Sequence, residues 1–155
     1  MAEASSLHHT GLTVADLDRS LAFYRDLLGF EVVLEQEKEG GYLGAIVGQP
    51  DAHVRMAHMK LPESDHRLEL FQYLRPCGSR PSEQLDPWRI GLTHVCLIVD
   101  DLPALHRRLG AEGSDSFLSL PIEIDTGANA GGKALYLRDP DGILLELFQP
   151  PSRSR

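Results

Sequence analysis

Two histidines and two glutamates occupy matching places in an internal repeat of this 155-residue chain. The five residues LELFQ occur twice and put Glu69 and Glu146 at equivalent positions. His9 and His94 begin the two copies of a second phrase, in which Val follows the histidine after five positions and Asp-Leu after seven. Because each half of the chain supplies one imidazole and one carboxylate, the repeat predicts a metal site built from two similar modules.

The four side chains form a donor set that suits a divalent first-row metal ion. Two imidazoles and two carboxylates leave two positions of an octahedral shell for water or substrate, and Zn²⁺, Ni²⁺, Mn²⁺, Co²⁺ and Fe²⁺ all fit. The lack of thiolates disfavours a closed structural zinc site, whereas open positions favour catalysis. A solvent-facing residue is the simpler interpretation of any one of these side chains alone, so the metal site depends on the repetition.

Other potential ligands lie outside the repeat. We expect His8 to point away from His9, to the other face of the strand, as a surface or edge residue. Cys96 shares a strand face with His94, where a small residue lining the cavity is favoured over a nucleophile. The histidines without a counterpart in the other half are interpreted as structural or solvated, namely His53, His58, His66 and His106.

The first module predicts the element order βαβββ. A strand near residues 7–14 is followed by a helix that Asp16 caps and Gly29 ends, with apolar residues at helical spacing between them. Turn residues, among them Gly40-Gly41 and Gly48-Gln49-Pro50, separate three further strands. These strands are predicted near residues 30–37, 52–60 and 66–73.

The second module repeats this order. A strand near residues 92–99 precedes a short helix that Asp101 caps. The last two strands are predicted near residues 133–138 and 143–148, and Asp139-Pro140-Asp141-Gly142 forms the turn between them.

Strand alternation decides which side chains share a face. Successive strand residues point to opposite faces, so all four candidate ligands fall on the face opposite the aliphatic stripe. The predicted pocket on that face consists of Thr13, Phe71, Cys96, Ile98, Leu144 and Phe148. We therefore predict one α+β domain over residues 1–155, in which module 7–74 and module 91–150, joined by linker 75–90, form a cup-shaped mixed sheet around a central metal site.

Composition and charge argue against several kinds of partner. The formal net charge is −8 and Lys/Arg clusters are scarce, which disfavours nucleic acid and anionic membranes. No apolar run approaches the roughly 18 residues of a membrane span, and the N-terminal residues lack the features of a signal peptide. The two cysteines have no CxxC spacing, which fits a reducing compartment. We expect a cytoplasmic homodimer with a small-molecule substrate.

Four phrases resemble the vicinal oxygen chelate superfamily, which includes glyoxalase I, methylmalonyl-CoA epimerase, fosfomycin-resistance transferases, extradiol dioxygenases and bleomycin-resistance proteins. HTGLTVADL from His9 and SLAFYRDLLGF from Ser20 resemble its opening strand and helix. HVCLIVDDL from His94 resembles the opening of its second module, and YLRDPDGILLE from Tyr136 looks like its terminal hairpin. The resemblance covers nearly the whole chain and is closest in motif to the glyoxalase I and epimerase-like branches.

The resemblance implies that one divalent metal ion is bound by His9, Glu69, His94 and Glu146. A glutamate at position 69 is typical of the glyoxalase and epimerase branches. The dioxygenases and fosfomycin enzymes generally use three protein ligands, and bleomycin-binding members lack a metal set. The continuation FQYLRPCG departs from the Thr-x-Asn type of phrase that follows this ligand in glyoxalase I. The ELFQY phrase looks closer to epimerase-like proteins, including cyclic-polyol epimerases related to valiolone metabolism.

The implied reaction removes a proton next to a carbonyl of a substrate that binds through two adjacent oxygens, with the metal stabilising an enediolate. Glu146 and Glu69 are the candidate catalytic bases, and Glu146 is favoured. We expect an isomerase or epimerase, with a glyoxalase I-like lyase as the alternative. Two further classes stay open: a non-heme iron dioxygenase, in which Glu69 is a bystander, and a ligand-binding protein of the bleomycin-resistance kind.

Overall fold

The structure, a computed structural model, describes residues 6–79, 86–91, 94–114 and 116–152. The chain divides into two compact units, Met1–Arg80 and Pro81–Arg155, called here the N-terminal and C-terminal units. Each unit has its own four-stranded sheet and is described by itself.

The N-terminal unit has a mixed sheet with the strand order β1-β4-β3-β2. Strands β1 and β4 are parallel, and the other pairs are antiparallel. The elements are β1 (His9–Thr13), α1 (Leu17–Leu21, continued by a π-helical segment Ala22–Leu27), β2 (Glu31–Glu39), α2 (Gly41–Val47), β3 (His53–Lys60) and β4 (Arg67–Arg75).

The C-terminal unit repeats this arrangement with the strand order β5-β8-β7-β6, and β5 is parallel to β8. Its elements are β5 (His94–Ile98), α3 (Leu102–Ala111), β6 (Ile122–Glu123), β7 (Lys133–Arg138) and β8 (Leu144–Gln149). The prediction of α+β modules of the βαβββ type is confirmed. Among the described residues, no helix has the length and apolar character of a membrane-spanning segment.

The helix of each unit begins at the aspartate that the sequence indicates. Asp16 accepts a hydrogen bond from the backbone N–H of Arg19, and Asp101 accepts one from Ala104, both at 2.9 Å. An N-cap side chain of this kind satisfies a backbone donor that has no partner inside the helix. Both predicted caps are therefore confirmed.

The last residue of each LELFQ copy also binds a helix start. Gln72 Oε1 accepts a hydrogen bond from the N–H of Leu17 at 3.1 Å, and Gln149 Oε1 accepts one from Leu102 at 2.8 Å. Both leucines are fully buried, so water does not replace these bonds. The repeated glutamine therefore joins the last strand of each unit to its helix.

One helix was wrongly predicted as turns. Gly40-Gly41 and Gly48 bracket α2, a helix of seven residues that is too short to show apolar periodicity. Gly48 ends it in the left-handed conformation at φ 68°, which glycine adopts without strain. The glycines interpreted as turn signals are thus the two ends of a helix, and Leu43 of this helix packs on Val54 and Met56 of β3.

Candidate metal site

The N-terminal unit brings His9 and Glu69 together on the sheet face opposite α1. Parallel pairing sets Gly11 of β1 beside Glu69 of β4, and His9 lies two residues earlier on the same face. The His9 Nε2 atom is 3.7 Å from Glu69 Oε2. On the helix side, Leu12 and Leu70 are buried, as strand alternation predicts.

The C-terminal unit forms the equivalent pair. Cys96 of β5 lies beside Glu146 of β8, and the His94 Nε2 atom is 3.1 Å from Glu146 Oε2. Leu145 and Leu147 are fully buried on the opposite face. Each predicted histidine therefore contacts the predicted glutamate of its own unit.

Two residues that were not predicted to belong to the site also contact these carboxylates. His58 lies across the antiparallel ladder from Glu69, with its Nδ1 atom 3.4 Å from Oε1. Tyr136 lies across from Glu146 and donates its hydroxyl hydrogen to Oε2 at 3.3 Å, and the hydroxyl oxygen is 3.4 Å from His94 Nε2. The interpretation of His58 as a structural or solvated residue omitted this contact.

The repeat comparison missed His58 and Tyr136 because they differ in type between the two halves. Hairpin register was the signal that could have found Tyr136. The turn at Asp139–Gly142 is closed by hydrogen bonds between Asp139 and the Ile143 backbone, which sets Tyr136 opposite Glu146.

The prediction that His8 points away from His9, to the other face of the strand, is wrong. The strand begins at His9, so strand alternation does not control His8. Its Nδ1 atom is 2.8 Å from His9 Nδ1, which is hydrogen-bond distance between the two rings. His8 is exposed as expected, but it joins His9 and Glu69 in a group whose ligand atoms all lie within 4.8 Å of one another.

The other histidines outside the repeat have partners away from the two pairs. His66 Nε2 is 2.9 Å from the Thr10 hydroxyl, and His106 packs against the ring of Phe117. His53 contacts the carboxylate of Glu37.

The carboxylate of Glu146 affects the acidity of its neighbours. Desolvation of the sulfur, followed by the nearby negative charge of Glu146, raises the pKa of the Cys96 thiol to about 11. The same two causes, in the same order, raise the pKa of the Tyr136 hydroxyl. Although Cys96 is exposed as a residue, its thiol is therefore neutral near pH 7, which supports its interpretation as a lining residue.

The predicted pocket residues differ in accessibility. Thr13 and Ile98 are exposed, Phe71 and Phe148 are half-buried, and Leu144 is fully buried. The ring of Phe71 lies 3.1 Å from the position that a side chain on Gly11 would take, so glycine leaves room for this ring on the site face. Phe71 also packs on the cluster to which α2 contributes.

A separate surface pocket of about 500 Å³ lies in the C-terminal unit. Trp88, Phe117 and Leu118 line it together with the Asp86–Arg138 ion pair, whose charged atoms are 3.6 Å apart. None of the candidate ligands lines this pocket, so we assign it no part in the metal site.

The residues present fit a divalent cation. The Glu69 side chain is only 8% exposed, and the imidazoles of His9 and His58 contact its carboxylate. A carboxylate buried in this way is costly unless a positive charge compensates it. Imidazole nitrogens and carboxylate oxygens are ligands that Zn²⁺, Ni²⁺, Mn²⁺, Co²⁺ and Fe²⁺ accept.

Comparison with known proteins identifies the family of the chain. A family model described as the Glyoxalase/Bleomycin resistance protein/Dioxygenase superfamily matches residues 6–147. The chain is 30% identical over 152 residues to 2-epi-5-epi-valiolone epimerase from Actinomyces sp., with 96% of this chain and 81% of that protein covered. It is 28% identical over 149 residues to lactoylglutathione lyase from Haemophilus influenzae, with 93% and 92% covered.

A solved glyoxalase family protein from Bacillus cereus has the same fold, with a TM-score of 0.82 at 23% identity over 98% of this chain and 99% of that one. The resemblance drawn from the repeated motifs is thus confirmed. The chain belongs to the Glyoxalase/Bleomycin resistance protein/Dioxygenase superfamily.

Proposed function

We propose that the protein is a divalent-metal-dependent enzyme of the isomerase or epimerase type, which removes and returns a proton next to a substrate carbonyl. The observation that carries the proposal is the histidine–glutamate contact on one sheet face of each unit, at 3.7 Å and 3.1 Å. We further propose that His9, Glu69, His94 and Glu146 bind a single ion. When bound, the ion supplies a Lewis acid for the oxygens of the substrate.

Glu146 is the proposed principal base. Its side chain is 22% exposed, against 8% for Glu69, so it is the more accessible of the two carboxylates. The Tyr136 hydroxyl donates to Oε2 of Glu146 at 3.3 Å. Glu69 is held between His9 and His58 and is proposed as the second proton-transfer group. For an epimerase, the proton returns to the opposite face of the same carbon.

A glyoxalase-type lyase is the second candidate, because one relative is named lactoylglutathione lyase. The two reactions share proton removal and differ in where the proton returns, since the lyase delivers it to the adjacent carbon. The named relative at 30% identity is an epimerase, which favours the first candidate. Incubation with the methylglyoxal–glutathione hemithioacetal distinguishes the two, since S-lactoylglutathione formation identifies the lyase.

The first experiment measures metal content by elemental analysis of protein purified without a histidine tag. We expect about one divalent ion per chain in the wild type and its loss in the Glu69→Ala/Glu146→Ala double variant. A Glu31→Ala/Glu63→Ala double variant removes two exposed carboxylates and serves as the control. Absence of metal in the wild type, even after incubation with Ni²⁺, Zn²⁺, Mn²⁺ and Co²⁺, would instead indicate a ligand-binding protein.

A second experiment tests the base. Candidate carbonyl and hydroxy-acid substrates are incubated with enzyme in D₂O, and deuterium incorporation is followed by NMR. We expect Glu146→Gln to lose the exchange while it keeps the circular dichroism spectrum and measurable metal binding. Exchange at the wild-type rate in this variant would remove Glu146 from the mechanism. Oxygen consumption with catechols would point to the dioxygenase class.

A further inference from the structure

We infer that the N-terminal unit binds a divalent transition-metal ion by itself, through His8, His9 and Glu69, a set called here the half-site. The inference deepens the proposed function, on which it rests for the part played by His9 and Glu69. The added ligand is His8, which has no counterpart in the repeat.

The geometry of the three side chains suits a common ion. One ligand atom from each of His8, His9 and Glu69 can be chosen so that all three lie within 4.8 Å of one another. Ligand atoms about 2.0–2.2 Å from a single metal ion are separated from each other by roughly 3–4 Å, so small side-chain movements suffice. Metal binding would break the 2.8 Å contact between the His8 and His9 imidazoles, because a ring nitrogen of each histidine would then bind the ion.

The carboxylate is already oriented for this role. His58 contacts Oε1 of Glu69 at 3.4 Å, which leaves Oε2 on the side of His9. The Glu69 side chain is nearly enclosed, and these two imidazoles contact its carboxylate. The burial of this carboxylate is an observation independent of the position of His8, and a bound cation would compensate its negative charge.

The position of His8 outside the sheet allows it to join His9 and Glu69 as a ligand. It precedes β1, is exposed, and is therefore not fixed by the sheet ladder. Its ring meets that of His9 edge to face, with ring centroids 5.1 Å apart. A side chain outside the ladder can turn toward an ion at His9 and Glu69 without breaking a hydrogen bond of the sheet.

The C-terminal unit has a smaller donor set. The residue before His94 is Thr93, which has no imidazole. The residue opposite Glu146 is Tyr136, where the N-terminal unit has His58. The C-terminal unit thus offers His94 and Glu146, without a second histidine at the position equivalent to His8.

The test uses the full-length, tag-free His94→Ala/Glu146→Ala double variant, in which the C-terminal pair is removed. Ni²⁺ binding is measured by calorimetry, and Co²⁺ binding by the visible absorption of the ion. We expect about one ion per chain, bound more weakly than in the wild type. Adding His8→Ala should weaken the residual binding by about tenfold or more. Adding His66→Ala, which removes another exposed histidine of the same unit, should leave it unchanged.

The outcomes separate this inference from the proposed function. Complete loss of binding in the double variant overturns the half-site and leaves the four-ligand site intact. Residual binding that ignores His8→Ala also overturns the half-site. Wild-type affinity in the double variant, combined with loss of binding in His8→Ala and Glu69→Ala, refutes the shared four-ligand site and supports the half-site.

Discussion

Replacing Gln72 with leucine should destabilise the protein by removing the acceptor at the start of α1. The substitution deletes the 3.1 Å bond from Leu17 N–H and the 3.3 Å bond from Gln72 Nε2 to the Ala15 carbonyl. Ala15 is exposed, so water can replace the second bond. Leu17 is 0% exposed, and a buried donor left without a partner costs about 1–3 kcal/mol. The free energy of unfolding should fall by that amount.

Gln149→Leu should have a similar effect, because Leu102 is equally buried and donates to Gln149 at 2.8 Å. For a chain of this size, about 1 kcal/mol lowers the melting temperature by about 2–4 °C, so each variant should melt roughly 2–12 °C below the wild type. Chemical denaturation followed by circular dichroism gives the free energy, and calorimetry gives the melting temperature.

Two further variants make the test specific to the acceptor oxygen. Gln72→Glu keeps an oxygen for Leu17 N–H and adds a negative charge near a helix N-terminus, so it should recover most of the stability. Gln49→Leu changes an exposed glutamine and should stay within about 0.5 kcal/mol of the wild type. Wild-type stability of Gln72→Leu, or equal damage from leucine and glutamate at position 72, would falsify the argument.

Two other predictions follow from packing and from acidity. Gly44→Ala should lower the free energy of unfolding by about 1–3 kcal/mol, since the added Cβ would lie 2.6 Å from a backbone carbonyl oxygen. Gly110→Ala on α3 is the control, because its Cβ meets nothing within 4 Å and the change should be neutral or stabilising. Denaturant titration of both variants measures the difference. In a metal-free Cys77→Ser variant, Cys96 should react with an aromatic disulfide reagent about tenfold more slowly at pH 7.5 than glutathione does. The reason is the Cys96 pKa of about 11, which lowers the fraction of thiolate more than it raises the nucleophilicity of that thiolate. The rate should rise with pH up to about 11, and a plateau near pH 9 would contradict the assigned pKa.

Local rules made much of the fold predictable. Strand alternation depends only on the period of two, so the order of residues alone placed His9 and Glu69 on the face opposite buried leucines. Helix caps are equally local, and Asp16 and Asp101 begin the helices as their sequence positions indicate. The repeat supplied the remaining link, because equal positions in two similar modules lie in equal places of the fold.

Contacts between neighbouring strands, and the packing of short helices, could not be predicted from these local rules. His58 meets Glu69 through the register of β3 and β4, and this register depends on the path of the intervening chain. The helix α2 is too short for a periodic signal, and its Leu43 is buried in a cluster with Met56 on which Phe71 packs.

The sequence by itself determined the repeat, the βαβββ order apart from α2, and the supply of one histidine and one glutamate by each unit, because these depend on local periodicity and on equivalent positions. The tertiary structure decided which neighbours surround those pairs. It placed His58 on one carboxylate and Tyr136 on the other, turned His8 toward His9, and showed that the repeated glutamines bind helix starts. The contacts of His58, His8 and the glutamines depend on strand register or on the path of the chain beyond a strand end, which the spacing of residue types does not encode. The Tyr136 contact is the exception, because the turn at Asp139–Gly142 sets the register that places it opposite Glu146.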